Sequence, residues 1–107
     1  MQEVIGAVSP EKLKALQEEN PGGFSITVTD PSGRKHIAYF RDAEMDDLNF
    51  AASQTDPDSP LDYNRSLMEE TFLAGDKEIM SDKFMFMAAS KKMNKRIDGA
   101  KAQLVEW

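Results

Sequence analysis

The sequence predicts an α+β domain, and three observations carry that prediction. Phe24, Ile26 and Val28 alternate with Ser25, Thr27 and Thr29, the period-two pattern of a half-buried strand. Asp30-Pro31-Ser32-Gly33 supplies turn chemistry before a second strand-forming run, Arg34 to Phe40, so the two runs read as a β-hairpin. On both sides of the hairpin, apolar residues recur at the three- and four-residue spacings of amphipathic helices. The expected order is an N-terminal helix, one β-hairpin, then three helical segments ending in a long amphipathic C-terminal helix.

The chain has 107 residues, enough for one domain of the usual size of about 100–150 residues and too few for a second core. Residues 1–23 are expected to form an arm with a helix at about 10–19. Ser9-Pro10 opens that helix, with a capping hydroxyl before a proline at the first helical position. Leu13 and Leu16 then share a face, and Asn20-Pro21-Gly22-Gly23 ends it.

In the hairpin, Ile37 and Tyr39 fall on one face, and His36, Ala38 and Phe40 on the other. Asp42 is expected to cap a helix with apolar positions Met45, Leu48 and Ala52, and Glu44, Asp46 and Asp47 add negative charge near its N-terminal end. Asp56 to Pro60 reads as a polar loop. Leu61, Met68 and Phe72 mark a further helix, expected to run to Gly75. Asp76 to Met80 reads as one short turn. Ser81 is expected to cap the last helix, whose stripe is Phe86, Met93, Ile97, Ala100 and Leu104, weakened at Gly99.

Hydrophobic residues make up 40% and charged residues 30% of the chain, the composition of a folded protein and not of one disordered throughout. The formal net charge of −6 argues against coating DNA, since phosphate affinity needs many basic contacts. With no cysteine there can be no disulfide, thiolate zinc site or cysteine nucleophile, which is compatible with a cytoplasmic location. The short apolar stretch Val4 to Val8 follows Glu3 instead of a basic region, so secretion is not expected. No apolar run approaches the roughly 18 residues of a membrane span.

Candidate reactive groups are few. His36 is the only histidine and reads as an ordinary strand residue, since no nucleophile in a strained turn accompanies it. Asp56, Asp58 and Asp62 resemble the start of a calcium loop, but Pro60, Leu61 and Leu67 stand where ligands and a glycine belong. Asp46-Asp47 and Glu69-Glu70 are neighbours on helices and diverge, unlike carboxylates converging on a glycosidic bond. Asn64-Arg65-Ser66 matches a glycosylation sequon that has no secretory context. The expectation is therefore no enzyme, no cofactor and no metal.

Binding signals are stronger. Met80, Met85, Met87 and Met93 gather with Phe84 and Phe86, an adaptable apolar cluster that can fill a core or meet a partner. Lys91, Lys92, Lys95, Arg96 and Lys101 follow on the same helix, in contrast to the acidic stretch from Asp42 to Asp62. Phe84, Met85, Met87, Lys91, Lys92 and Lys95 are the expected partner-binding residues.

Several strings resemble small tail-assembly-chaperone-like proteins of tailed bacteriophages and prophages. They are the hairpin from Phe24 through Thr29-Asp30-Pro31-Ser32-Gly33 to Lys35, Tyr39-Phe40-Arg41-Asp42, Phe72-Leu73-Ala74-Gly75-Asp76-Lys77-Glu78-Ile79, and the closing amphipathic helix. The resemblance covers mainly residues 24–105, and the helix from Ser9 to Asn20 has no counterpart in it. It implies a non-catalytic protein that holds the tape-measure protein soluble in the bacterial cytoplasm, with an oligomer built through the last helix as the expected active form. Two other readings stand beside it: within the same resemblance, a structural component of a phage particle, and, from the acidic stretch Asp42 to Asp62, an inhibitor that imitates nucleic-acid phosphates for a host enzyme.

Overall fold

The computed structural model describes residues 3–53, 61–97 and 102–107. Strand β1 (Val4–Ile5) precedes helix α1 (Pro10–Glu19), the hairpin β2 (Phe24–Thr29) and β3 (Lys35–Phe40), and helices α2 (Met45–Ser53) and α3 (Leu61–Thr71). Strand β4 (Phe72–Gly75), the short α4 (Glu78–Ser81) and α5 (Lys83–Ile97) follow. The α+β class, the N-terminal helix, the hairpin and the long last helix are all present. None of the helices is long and apolar enough to cross a membrane among the described residues.

Strand β3 is the centre of the sheet. β2 pairs with it antiparallel in the register Ile26↔Ala38 and Val28↔His36. Its other edge takes β1 in parallel, Val4↔Lys35 and Ile5↔His36, and β4 antiparallel, Ala38↔Gly75 and Tyr39↔Ala74. Gly75, at φ +112, closes β4 so tightly that a Cβ there would lie 2.5 Å from the Ile37 carbonyl oxygen. Only glycine accepts that conformation and that approach without strain.

The helix expected from Leu61 to Gly75 stops at Thr71 because the second edge of β3 needs hydrogen-bond partners. Arg41 N–H donates to Thr71 O at 2.9 Å, and Asp76 N–H donates to Ile37 O at 2.9 Å. Phe72 packs edge-on against Phe40 with ring centroids 6.0 Å apart. Tertiary pairing thus overrides local helical spacing, and Phe72–Gly75 is a strand. Val4–Ile5, expected within an arm, forms the other added strand.

Capping also differs in detail. Ser9 Oγ accepts Lys12 N–H as expected, and Pro10 opens α1. Asp42, expected to cap α2, lies outside it and accepts Ala43 N–H. Asp47 reaches back instead, its Oδ2 accepting Glu44 N–H at 2.8 Å while Asp47 N–H donates to Glu44 O. That carboxylate also receives both Nη1 and Nη2 of Arg41, at 2.6 and 2.8 Å, and the guanidinium holds its pKa down at about 2. Asp82, not Ser81, caps α5, its Oδ1 accepting Phe84 and Met85 N–H, because Ser81 is already the last residue of α4.

One face of the sheet carries the core. Ile26, Val28, Ala38 and Phe40 pack against Leu67, Met68, Ile79, Met85, Phe86, Ala89 and Met93. In α2 the buried residues are Asp47 and Ala51, while Met45, expected inward, is 70% exposed. On α5, Phe86 and Met93, whose stripe was expected to face a partner surface, are buried in the domain's own core, and Met85 joins them at 4% exposure. The stripe expected to continue to Leu104 does not: the described helix ends at Ile97, and Leu104 is exposed in an irregular segment. Asp56, Asp58, Gly99, Ala100 and Lys101 lie outside the described residues.

The two methionines expected together at a docking surface are therefore separated by the turn of one helix. Met85→Ser is expected to lower unfolding free energy by about 2–4 kcal/mol, the range for emptying a buried side-chain site. Met87→Ser, at a surface position, is expected to change it by less than about 0.5 kcal/mol. Urea unfolding of the two variants checks this, and equal effects would contradict the placement of α5.

Candidate functional site

The exposed side of α5 follows from its helical period. With Met85, Phe86, Ala89, Ser90 and Met93 buried, Phe84, Met87, Ala88, Lys91 and Lys95 fall on the opposite side. Phe84 is 63% and Met87 44% exposed, and Lys83 Nζ lies 5.1 Å from the Phe84 ring centroid. Lys91, Lys92 and Lys95 are exposed. An apolar patch thus leads into a basic stretch along one helix. Five of the six expected partner-binding residues are at the surface, and Met85 is in the core.

Beside this patch, Phe84, Met85 and Ala88 line a shallow pocket of about 190 Å³ with Val28, Thr29, Asp30 and Pro31. The adjoining strand β2 pairs only with β3 among the described residues. Odd-numbered backbone groups of β3 bond toward β4, so its even-numbered groups meet β2. By the antiparallel register, Ser25, Thr27 and Thr29 direct their backbone groups away from the sheet. That outward edge is a place where another chain can pair.

A second cleft, of about 390 Å³, separates α1 from the far face of the sheet. Leu13, Leu16, Ile37, Tyr39 and Leu73 contribute its apolar wall. No residue of α1 is buried. The Arg96 guanidinium lies 4.2 Å from the Phe24 ring centroid and donates to Gly22 O, linking the last turns of α5 to the hairpin entry.

The polar centre of the molecule is His36, which the sequence alone presents as an ordinary strand residue. It lies on the core face of β3, 2% exposed. Its Nε2 is 2.8 Å from Asp30 Oδ2 and its Nδ1 2.7 Å from Asp76 Oδ2. Hydrogen bonding to Asp30, and then to Asp76, raises the His36 pKa above the ordinary 6.5 against the opposing effect of burial. Bonds from Ser32 and His36 hold the Asp30 carboxyl well below the usual carboxylate range. The hairpin turn is shaped for this contact: Asp30 Oδ1 accepts from Ser32 N–H, Ser32 Oγ–H and Arg34 N–H at 2.9, 2.6 and 3.0 Å.

The signal for this cluster was in the hairpin itself. Alternation puts His36 on the face of Ala38 and Phe40, and a buried imidazole must find partners. Asp30, in the adjoining turn, was legible as one of them. Asp76 was not, because its approach depends on β4. Both ring nitrogens of His36 face carboxylates, Asp76 at Nδ1 and Asp30 at Nε2. Together with Asp76, Glu78 brings a third potential metal-ligating atom, the three lying within 4.8 Å of one another.

The clamp carries a pH dependence of defined sign. The raised His36 pKa contributes stability that is complete below about pH 6.5 and is lost as pH rises through the folded value. The lowered Asp30 pKa contributes stability present above its ordinary 3.8 and lost as pH falls toward its folded value. In buffer containing EDTA, urea midpoints are expected to be highest between these limits and to decline as pH rises above about 6.5. Asp76→Asn should flatten that decline, and an unchanged slope would contradict the clamp. No protein-family model matches the chain, and no curated protein or solved structure shows a significant match to it.

Proposed function

We propose that this chain is a non-catalytic protein-binding module that holds an apolar helical partner through the exposed side of α5. The observation that carries this reading is the pair Phe84 and Met87, two large apolar side chains on one helix face at 63% and 44% exposure. Burying them against another apolar surface is favourable by roughly 25 cal/mol per Å² removed from water. Methionine adapts its shape to irregular partners, and Lys91, Lys92 and Lys95 offer charge contacts beside the apolar patch. The net charge of −6 favours solubility of a complex with an apolar chain.

Within that reading, the specific role we propose is that of a phage or prophage tail-assembly chaperone, acting in the bacterial cytoplasm on the tape-measure protein. Support comes from the resemblance of residues 24–42 and 72–79 and from the chemistry of the partner, a long helical chain with apolar stripes. The enclosure of His36 by two carboxylates agrees with a non-catalytic role. An acidic phosphate mimic gains less support: Asp47 is bound to Arg41 and Asp42 lies 3.3 Å from Arg96, so neither is a free member of an acidic row.

Co-expression with a tape-measure segment bearing an apolar helical stripe tests the proposal. The wild-type chain is expected to keep that segment in the soluble fraction. The double variant Phe84→Ser/Met87→Ser, folded by circular dichroism, should bind it at least about tenfold more weakly, as expected for loss of central apolar anchors. Undiminished binding by the folded double variant would exclude this face of α5.

A further inference from the structure

His36 Nδ1, Asp76 and Glu78 meet where β3 passes the turn between β4 and α4. Their donor atoms lie within 4.8 Å of one another, with His36 buried, Asp76 half-buried and Glu78 exposed. We propose that these three residues bind a single divalent transition-metal ion of the zinc class, with Asp30 as the carboxylate that orients the imidazole. This goes beyond the partner-binding role and does not depend on it.

Buried histidine distinguishes the site from a surface cluster of acids. The Nδ1 atom forms its floor and is aimed at Asp76 Oδ2, 2.7 Å away. Its ring is fixed from behind: Asp30 Oδ2 lies 2.8 Å from Nε2, and three donors from Ser32 and Arg34 hold the other Asp30 oxygen. A carboxylate on the remote ring nitrogen fixes tautomer and orientation and makes the ligating nitrogen more basic. Asp76 is likewise prepared, with Oδ1 accepting Glu78 N–H at 3.0 Å.

The dimensions fit a small ion after modest movement. Ligand atoms around tetrahedral zinc, with bonds of about 2.0–2.2 Å, stand about 3.3 Å apart. His36 and Asp76 therefore separate by about 0.6 Å from their 2.7 Å contact. Glu78 closes in by a rotamer change that its exposure permits. One nitrogen and two carboxylate oxygens suit zinc better than calcium or magnesium, which prefer all-oxygen shells. Binding releases the Nδ1 proton to solvent, the ion taking its place between ring and carboxylate.

A bound ion joins β3 to α4 in a way that a proton cannot, because Glu78 becomes a ligand. Glu78 O accepts Asp82 N–H at 2.8 Å and Asp82 O accepts Phe86 N–H at 2.8 Å, so the site connects through backbone to the start of α5. Occupancy would stiffen the base of the helix that displays Phe84 and Met87.

Calorimetric titration of Zn2+ into the chelator-stripped full chain is expected to show one equivalent bound, and Co2+ to give the visible absorption of a four-coordinate site. At a hundredfold excess over Kd, Zn2+ should raise Tm by about 10 °C. Glu78→Gln, at an exposed position, should keep the metal-free Tm and weaken Zn2+ at least about tenfold. Asp30→Asn should weaken it about 10–100-fold without touching the ion. Glu70→Gln, a surface control, should change nothing, and Mg2+ should not compete. Absence of Zn2+ uptake, undiminished binding by Glu78→Gln, or equal loss in Glu70→Gln would each overturn the proposal.

Discussion

His36 stands on the core face of the central strand, where a polar ring without hydrogen bonds would cost about 1–3 kcal/mol. The need to satisfy both of its nitrogens links parts of the molecule far apart in sequence. Asp30 comes from the hairpin turn and Asp76 from the turn after β4, so one imidazole ties the tip of the hairpin to the approach to the last two helices. Asp30 in turn organises its own turn through Ser32 and Arg34. A wholly apolar residue at this position could fill the space but would leave the two turns, each held by its own hydrogen bonds, without the side-chain link between them.

That constraint also explains what could and could not be read along the chain. The alternation of Phe24 to Thr29 and the Ser9-Pro10 helix entry are local, and both give the elements observed. Phe72 to Gly75 continues the apolar spacing of α3, and becomes a strand only because β3 has a second edge to satisfy. Asp42 and Ser81 have good capping chemistry, yet neighbours Asp47 and Asp82 do the work because the helices start elsewhere. Met85 and Met87 look equivalent in the sequence. Their separation into core and surface depends on the rotation of α5, which the packing of Phe86, Ala89 and Met93 decides.

The two faces of the sheet consequently serve different purposes in this account. The core face is closed by α3, α4 and α5 around Phe40, Leu67 and Ile79, and its one buried imidazole is held between carboxylates. The far face is only loosely covered by α1, none of whose residues is buried. Outside the core, α5 presents Phe84 and Met87 beside the outward edge of β2. In the proposed holding role, a closed core beside an exposed apolar face would let a partner be gripped without the domain reorganising.

The state of the His36 ring in metal-free protein tests the structural premise most directly. Nitrogen-15 NMR of the histidine side chain at about pH 6, below the raised pKa, should show both ring nitrogens protonated, with slowly exchanging N–H protons coupled across hydrogen bonds to the two aspartates. A neutral ring in tautomeric exchange, or ring protons exchanging at the rate of a solvent-exposed histidine, would show that the clamp between Asp30 and Asp76 does not hold the fold together.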